Sequence, residues 1–195
     1  MSLSIQYDTE FSSYSISQYL TEWSSLFGDA NHTNGNVTDS NSGGFYGGTS
    51  WNNGTQYALT SPNNETSAFV AEGDLTYQFS NHVLYGQLDS LAFGDGLSGG
   101  TSTEYAIQEP QVTFSGLDLS SIVDSGREGV VHEVIYGLMS GQVQPLLTAL
   151  TNAGIDINAS LDSLSFATAT SDAALSADTV VDVVGVAETA DLLAA

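Results

Sequence analysis

Histidine is scarce in this sequence, and two of its three copies fall in stretches that suit binding. His32 lies in FGDANHTNGNVTDSNSGGFYGG, residues 27–48, a run of Asn, Gly, Ser and Thr without helical or strand periodicity. Loops of that length within a compact domain are usually functional or disordered. His82 also falls in a predicted loop, where binding residues concentrate, although a single loop histidine is more often structural. His132 lies in an amphipathic helical pattern, which predicts a packing or surface role.

The sequence contains no recognisable enzyme motif and no motif for binding a metal ion directly. There is no close-spaced metal motif such as HExxH, and the lack of cysteine excludes disulfides and thiolate metal sites. GLMSG, residues 137–141, lacks the residue that a GxSxG nucleophile elbow places between its serine and its second glycine. FGDGLSGG, residues 93–100, resembles one copy of a calcium-binding nonapeptide, but such repeats need stacked neighbours, so a turn is predicted. With no nucleophile–base pair, the sequence argues against an enzyme.

The first candidate histidine follows a predicted strand and helix. LSIQY, residues 3–7, alternates apolar and polar residues and predicts a short half-buried strand. Ser15 and Gln18 have the spacing of a capping box and begin an amphipathic helix that Gly28 is expected to end. His32 is therefore expected a few residues beyond a helix end.

The middle of the chain, from about Gln56 to Leu117, has the character of an antiparallel meander. Short aromatic and β-branched segments are separated there by Gly, Asn, Asp and Pro. Alternation within LTYQF puts Tyr77 on the same side as Leu75, and it stops at SNH, which predicts the turn into the next strand. The second loop histidine, His82, belongs to that turn.

Helical periodicity returns after Leu117. EGVVHEVIYGLMSG predicts a helix, and QPLLTALTNAG and SLDSLSFATA predict shorter ones. From about Thr170 the composition shifts to Ala, Ser, Asp and Val, which predicts a flexible tail. Separate runs of strands and helices indicate an α+β fold, with one domain at residues 1–170 and a tail at 171–195.

Charge restricts the classes of partner. Arg127 is the one basic residue against 23 acidic ones, for a formal net charge of -22. Such a surface repels nucleic acid and anionic membranes, and the carboxylates of an anionic ligand would pair with at most one arginine or stay in water. No apolar run is long enough to span a membrane, and MSLSIQYDTEF lacks the basic and apolar regions of a Sec signal. A lysine-free acidic composition favours an extracellular protein whose export signal lies elsewhere.

Several long strings, in order, resemble the HasA-type haemophores. They are FGDANHTNGNVTDSNSGGFYGG, LTYQF, LYGQLDSLAFGDGLSGG, GREGVVHEVIYGLMSG and the terminal DLLAA, and the similarity extends from Ser2 to about Gly141 before resuming at the C-terminus. Members of that family are secreted bacterial proteins that capture haem and deliver it to an outer-membrane receptor. Several unusual strings in the same order are far more specific than a single motif.

The resemblance implies a site in which two loops clamp the haem iron. His32 matches the histidine ligand and Tyr77 the tyrosine ligand, while His82 matches the histidine that hydrogen-bonds the tyrosine. The segment between Tyr77 and His82 is slightly shorter here than in the family pattern. Residues flanking the ligands are candidates either for the haem wall or for ordinary packing: Val37, Phe45, Tyr46, Phe79, Val83 and Leu84.

The chemistry implied is that of a carrier for ferric haem b. A phenolate is a hard anionic donor that favours ferric iron, and a neutral histidine beside it would take up its proton and orient its ring. With His32 on the other axial position, oxygen chemistry would be blocked. Because the protein is strongly anionic, the porphyrin is expected to enter apolar edge first, with its propionates in water and without salt bridges.

The family also implies a fold, an export route and partners. The expected fold is a curved antiparallel sheet with helices on one face and the two loops at its edge. ETADLLAA resembles the uncleaved signal read by an ABC-type (type I) exporter, and the expected partners are a TonB-dependent receptor and host proteins such as haemoglobin as the haem source. The alternative is a secreted acidic surface or adhesive protein that binds Ca²⁺, supported only by acidity and glycine-rich turns.

Overall fold

A single seven-stranded sheet organises the chain. The computed structural model describes residues 2–28, 43–63 and 66–170. The elements are β1 (Ser4–Asp8), α1 (Ile16–Phe27), β2 (Gly43–Tyr46), β3 (Asn53–Thr60), β4 (Ser67–Gln78), β5 (Val83–Ser98), β6 (Ala106–Ser121), α2 (Val130–Met139), α3 (Gln144–Asn152) and β7 (Ala167–Thr170). The strand order is β2-β3-β4-β5-β6-β1-β7. This confirms the predicted α+β class and places β4 and β5 near the centre of the sheet.

Helix α1 forms where the capping residues predict it. The Ser15 hydroxyl accepts a hydrogen bond from the Gln18 amide (3.1 Å), and the Gln18 side chain accepts one from the Ser15 amide (3.0 Å). At the other end Gly28 has a φ of 77°, a conformation that glycine adopts without strain, and its N–H bonds the Ser24 carbonyl. The helix therefore begins and ends at residues specified locally.

The strands of the meander are longer than their sequence segments suggest. β4 continues through Glu72 and Gly73, where its pairing with β5 shifts register, and β6 continues through Pro110. The turn predicted at residues 93–100 is wrong, because β5 continues to Ser98 and only the last two glycines leave it. A Cβ at Gly94 would collide with the Glu109 carbonyl, so this glycine permits close strand approach rather than a turn.

Two further expectations fail at the C-terminal end of the described chain. SLDSLSFATA forms only a 3₁₀ turn at Leu161–Ser163, and its last residues enter β7. β7 pairs parallel with β1, with Ile5 opposite Ala167, whereas the other neighbouring strands pair antiparallel. The sheet is therefore mixed rather than wholly antiparallel. β1, which is far away in sequence, supplies the pairing partner that decides the conformation of residues 167–170.

The core lies between the helices and one face of the sheet. Trp23 of α1 stacks on Phe27 with ring centroids 4.8 Å apart, and its ring meets the edges of Phe69 and Phe93 on the strands. Buried residues of all three helices belong to the same cluster as these aromatics. Burying that shared face is the main force holding the helices against the sheet. No helix in the described parts of the chain is long and apolar enough to cross a membrane.

Candidate haem site

A pocket of about 480 Å³ opens between the β2–β5 half of the sheet and helix α2. Its size falls within the range of small-molecule and cofactor sites, and aromatic and aliphatic side chains dominate its wall. The described residues that line it are Phe45, Tyr57, Tyr77, His82, Leu84, Arg127, His132, Ile135, Tyr136 and Met139. The pocket is thus an apolar cleft with a few polar groups.

The β4–β5 hairpin brings Tyr77 and His82 together. The Tyr77 hydroxyl oxygen lies 2.6 Å from His82 Nδ1, a short hydrogen bond. Tyr77 pairs with Leu84 across the hairpin, and His82 ends the intervening turn at a φ of 56°. The short turn between the two residues therefore brings their side chains into direct contact. An imidazole at this distance can accept the phenol proton, which is the aid that phenolate ligation of a metal needs.

Asn52 holds the backbone of Tyr77 from the side. Its side-chain amide N–H donates to the main-chain carbonyl of Tyr77 (2.7 Å), and the main-chain carbonyl of Asn52 accepts a hydrogen bond from the Tyr77 N–H (2.8 Å). Both main-chain groups of Tyr77 are thereby fixed where β4 approaches its end. This pair of bonds orients the residue whose hydroxyl faces His82.

His132 links α2 to β5 and also lines the pocket. Its Nδ1 accepts a hydrogen bond from the Leu84 N–H (3.2 Å), and its ring stacks on Tyr136 with centroids 5.2 Å apart. Burial, with a contribution from the Arg127 guanidinium, lowers the pKa of His132. A neutral imidazole is the form that can accept the Leu84 bond, so charge state and geometry agree.

Tyr57 is part of the wall of the pocket. Its hydroxyl donates to the Met139 sulfur (3.5 Å), and its ring lies 5.0 Å from that of Phe45. Burial raises the pKa of Tyr57 to about 12, with smaller contributions from Tyr105 and Tyr77. Tyr57 therefore remains a neutral phenol at ordinary pH.

The structure brings together only some of the residues chosen from sequence. Tyr77, His82, Phe45 and Leu84 line the pocket, whereas three other candidate wall residues do not. Tyr46 packs edge-on against Tyr105, Phe79 is exposed beside Trp51, and Val83 is buried next to Leu84, on the opposite face of its strand. His32 and Val37 lie outside the described residues.

Helix α2 supplies wall residues that the sequence did not predict. His132, Ile135, Tyr136 and Met139 have i, i+3, i+4, i+7 spacing and form one helical stripe beside the core stripe. That spacing was visible in the sequence, but a stripe facing a cavity looks the same as one facing a core. Tyr57 and Arg127 also line the pocket, but no spacing or motif in the sequence indicates that they do.

The donor set suits a flat apolar ligand that carries its own metal. Within residues 2–28, 43–63 and 66–170, no group of three or more His, Asp or Glu could hold a bare metal ion. Aromatic walls can bury a macrocycle face, and the Tyr77 oxygen supplies an axial donor next to a proton acceptor. These residues therefore fit haem.

Comparisons with known proteins agree with this geometry. The family model described as Heme-binding protein A (HasA) matches residues 1–195. The chain is 55% identical over 176 residues to Hemophore HasA of Serratia marcescens, covering 87% of this chain and 93% of that protein. Holo and apo structures of hemophore HasA from Yersinia pestis each superpose with a TM-score of 0.79 at 32% identity, covering 87% of this chain and 99% of theirs. The chain belongs to the haem-binding protein A (HasA) family.

Proposed function

We propose that this chain is an extracellular carrier that captures ferric haem between Tyr77 and His32 and delivers it to an outer-membrane receptor. Membership of a haem-binding family supports a haem-binding role in haem acquisition, that of a carrier rather than an enzyme. The observation that carries the ligand assignment is the 2.6 Å contact between the Tyr77 hydroxyl and His82 Nδ1 at an apolar pocket. It supports Tyr77 as the anionic oxygen donor.

His82 assists the phenol in this proposal. A free tyrosine ionises near pH 10, so ligation at neutral pH requires that the phenol proton be given up. Ferric iron stabilises the phenolate by its charge, and the His82 imidazole can take the proton and hold the ring in place. Phe45 and Leu84 line the pocket and would pack against the macrocycle. His32, outside the described residues, would supply the opposite axial nitrogen.

Hemin titration of the full chain tests the ligands. We expect a saturable Soret band, with His82→Ala weakening hemin binding by about 10- to 100-fold, as loss of a hydrogen-bonded partner of a ligand usually does. Tyr77→Phe should weaken it further and change the band position, and His32→Ala should also alter the spectrum. Tyr85→Phe on β5 serves as the matched control, because that tyrosine does not line the pocket.

Three results would count against the proposal in different ways. A wild-type chain that gives no spectral change with stoichiometric hemin would overturn haem capture altogether. A Tyr77→Phe variant with unchanged affinity and spectrum would remove Tyr77 as a ligand while leaving haem binding intact. A calcium-dependent rise in melting temperature without a hemin response would favour the acidic calcium-binding alternative.

Export and delivery form the remaining part of the proposal. The family resemblance supports a haem-binding domain at residues 1–170 and a secretion tail at 171–195, read by an ABC-type exporter. It also supports haemoglobin as a haem source and a TonB-dependent receptor as the acceptor. Removing ETADLLAA, the last part of the tail, should abolish export from a strain with the exporter while hemin binding by the purified chain is unchanged. Continued export would refute the tail assignment.

A further inference from the structure

A glutamine joins the tip of the β5–β6 hairpin, residues 99–105, to strand β3. The Gln56 side-chain amide accepts a hydrogen bond from the Tyr105 N–H (2.7 Å) and donates one to the Tyr105 carbonyl (3.2 Å). It also donates to Glu72 Oε1 (2.8 Å), and the other oxygen of that carboxylate accepts a bond from the Ser90 hydroxyl (2.8 Å). Because Gln56 is only 4% exposed, a buried amide fixes both main-chain groups of Tyr105.

The ring of Tyr105 covers β2 on the face of the sheet that points away from the pocket. Its centroid lies 6.3 Å from that of Tyr46 in an edge-on contact, and its hydroxyl lies 3.9 Å from where a Cβ on Gly44 would stand. Tyr46 pairs with Gln56, and successive residues of a strand point to opposite faces, so Phe45 points into the pocket. Consecutive residues of β2 therefore contact the hairpin tip and form the pocket wall.

Strand β2 needs such a restraint more than the central strands do. It has four residues, two of them glycine, and at the edge of the sheet it pairs with a single neighbour, β3. A short strand held by one ladder opens more readily than a central strand, and glycine adds backbone freedom. Phe45 keeps its ring 5.0 Å from that of Tyr57, in the pocket wall, only while β2 stays on the sheet.

We infer that Tyr105, fixed by Gln56, is a positioning residue for haem capture, because it keeps β2 on the sheet and thereby keeps Phe45 in the pocket wall. The inference rests on the proposed haem-binding function, in which Phe45 packs against the macrocycle. Tyr105 does not line the pocket, so it acts on the ligand only through the strand. A wall that is ordered before the ligand arrives loses less conformational entropy on binding, which raises the affinity.

Hemin titration and hydrogen exchange of the full chain test this role. We expect Tyr105→Ala to weaken hemin binding by about two- to tenfold, the factor that corresponds to ordering one side chain on binding. Hydrogen exchange at residues 43–46 of the hemin-free chain should become faster. Tyr105→Phe keeps the ring and both main-chain bonds, so it should behave as the wild type does. Tyr14→Ala is the matched control, because Tyr14 is also half-buried and in contact with another ring but does not line the pocket.

A double-mutant cycle separates positioning from a general loss of stability. If Tyr105 acts through Phe45, Tyr105→Ala should weaken hemin binding no further in a Phe45→Ala background. Gln56→Leu, which leaves both rings in place, provides the same cycle if Tyr105→Ala does not fold. Additive losses, or unchanged affinity and exchange in the single variants, would overturn the inference while hemin binding by the wild type stands. A wild type that does not bind hemin would instead refute the proposed function.

Discussion

The two tyrosines of the pocket have opposite surroundings. Tyr77 presents its hydroxyl to the His82 imidazole, a base that can take a proton, whereas Tyr57 presents its own to the Met139 thioether, a weak acceptor. Burial further raises the pKa of Tyr57 to about 12. The group that each hydroxyl contacts therefore supports different roles for the two tyrosines: the proposed axial ligand for Tyr77 and a neutral wall for Tyr57.

Tyr57 should make the fold sensitive to alkali. Below pH 10 the phenol is neutral in both folded and unfolded chains, but above it the unfolded chain ionises first, so stability is lost as the pH rises toward 12. A shift of two pKa units corresponds to about 3 kcal/mol of unfolding free energy. Urea unfolding of the wild type and Tyr57→Phe at pH 9 and 11 should show a smaller alkaline loss in the variant. Equal losses would contradict the assignment.

Two hydrogen-bonded links position the elements around the site. Asn52, just before β3, fixes the Tyr77 backbone, and His132 of α2 accepts the N–H of Leu84 on β5. The first link fixes the position of the end of β4. The second holds α2 against β5, the strand that pairs with β4. The pocket therefore depends on contacts between elements as well as on its lining.

Removing the Asn52 side chain should loosen Tyr77. Asn52→Ala loses the 2.7 Å bond to the Tyr77 carbonyl, which should cost about 1 kcal/mol of unfolding free energy. We expect faster hydrogen exchange in the turn at residues 79–82 and weaker hemin binding. Asn158→Ala is the control, because Asn158 also makes a side-chain bond, to Ser17, but does not line the pocket. Unchanged exchange in that turn would show that Asn52 does not position Tyr77.

The link through His132 should weaken in mild acid. Its pKa lies below the ordinary 6.5, chiefly through burial, so the unfolded chain takes up the proton first as the pH falls. The contribution of this link to the stability of the folded chain is complete above pH 6.5. It is lost below that pH as the imidazole becomes protonated and can no longer accept the hydrogen bond from the Leu84 N–H. Unfolding of the wild type at pH 7.5 and 5.5, compared with His132→Gln, should show the steeper loss in the wild type. A variant with the same pH dependence would contradict this account.

At the scale of the whole molecule, the net charge of -22 opposes the arrival of an anionic ligand. Hemin with both propionates ionised is a net anion, whereas its dimethyl ester is a cation. Long-range repulsion slows the approach of the first and attraction speeds that of the second, and salt screens both beyond about 10 Å at 0.1 M. Capture therefore depends on short-range contacts in the pocket that outweigh the field of the surface.

The field predicts opposite salt effects on the two porphyrins. Stopped-flow association of hemin with the wild type should become faster between 0.02 and about 0.3 M NaCl, whereas association of the dimethyl ester should become slower, because the Debye length shortens over that range. Arg127→Gln should keep both trends, since one charge hardly alters a total of -22. Association rates of hemin that fall with salt would show that local attraction dominates the encounter.

The sequence alone determined the features that depend on a few neighbouring residues. The capping box that begins α1, the glycine that ends it and the amphipathic helical pattern of α2 are local, since each involves residues within one or two turns of each other. The pairing of Tyr77 with His82 came from family resemblance, and the fold supports it because both residues belong to one hairpin. The excess of acidic residues likewise needed no structure.

Only the tertiary structure decided which residues share a cavity. Tyr57 and Met139 are far apart in sequence, and the stripe of α2 that faces the pocket has the same period as a stripe that faces a core. Gly94 lies within β5, where its glycine-rich sequence predicted a turn, because it permits close approach of the neighbouring strand. β7 formed because β1 offered it a pairing partner. Periodicity reports that a side chain is turned inward, but what it meets there depends on elements that the chain brings together from a distance.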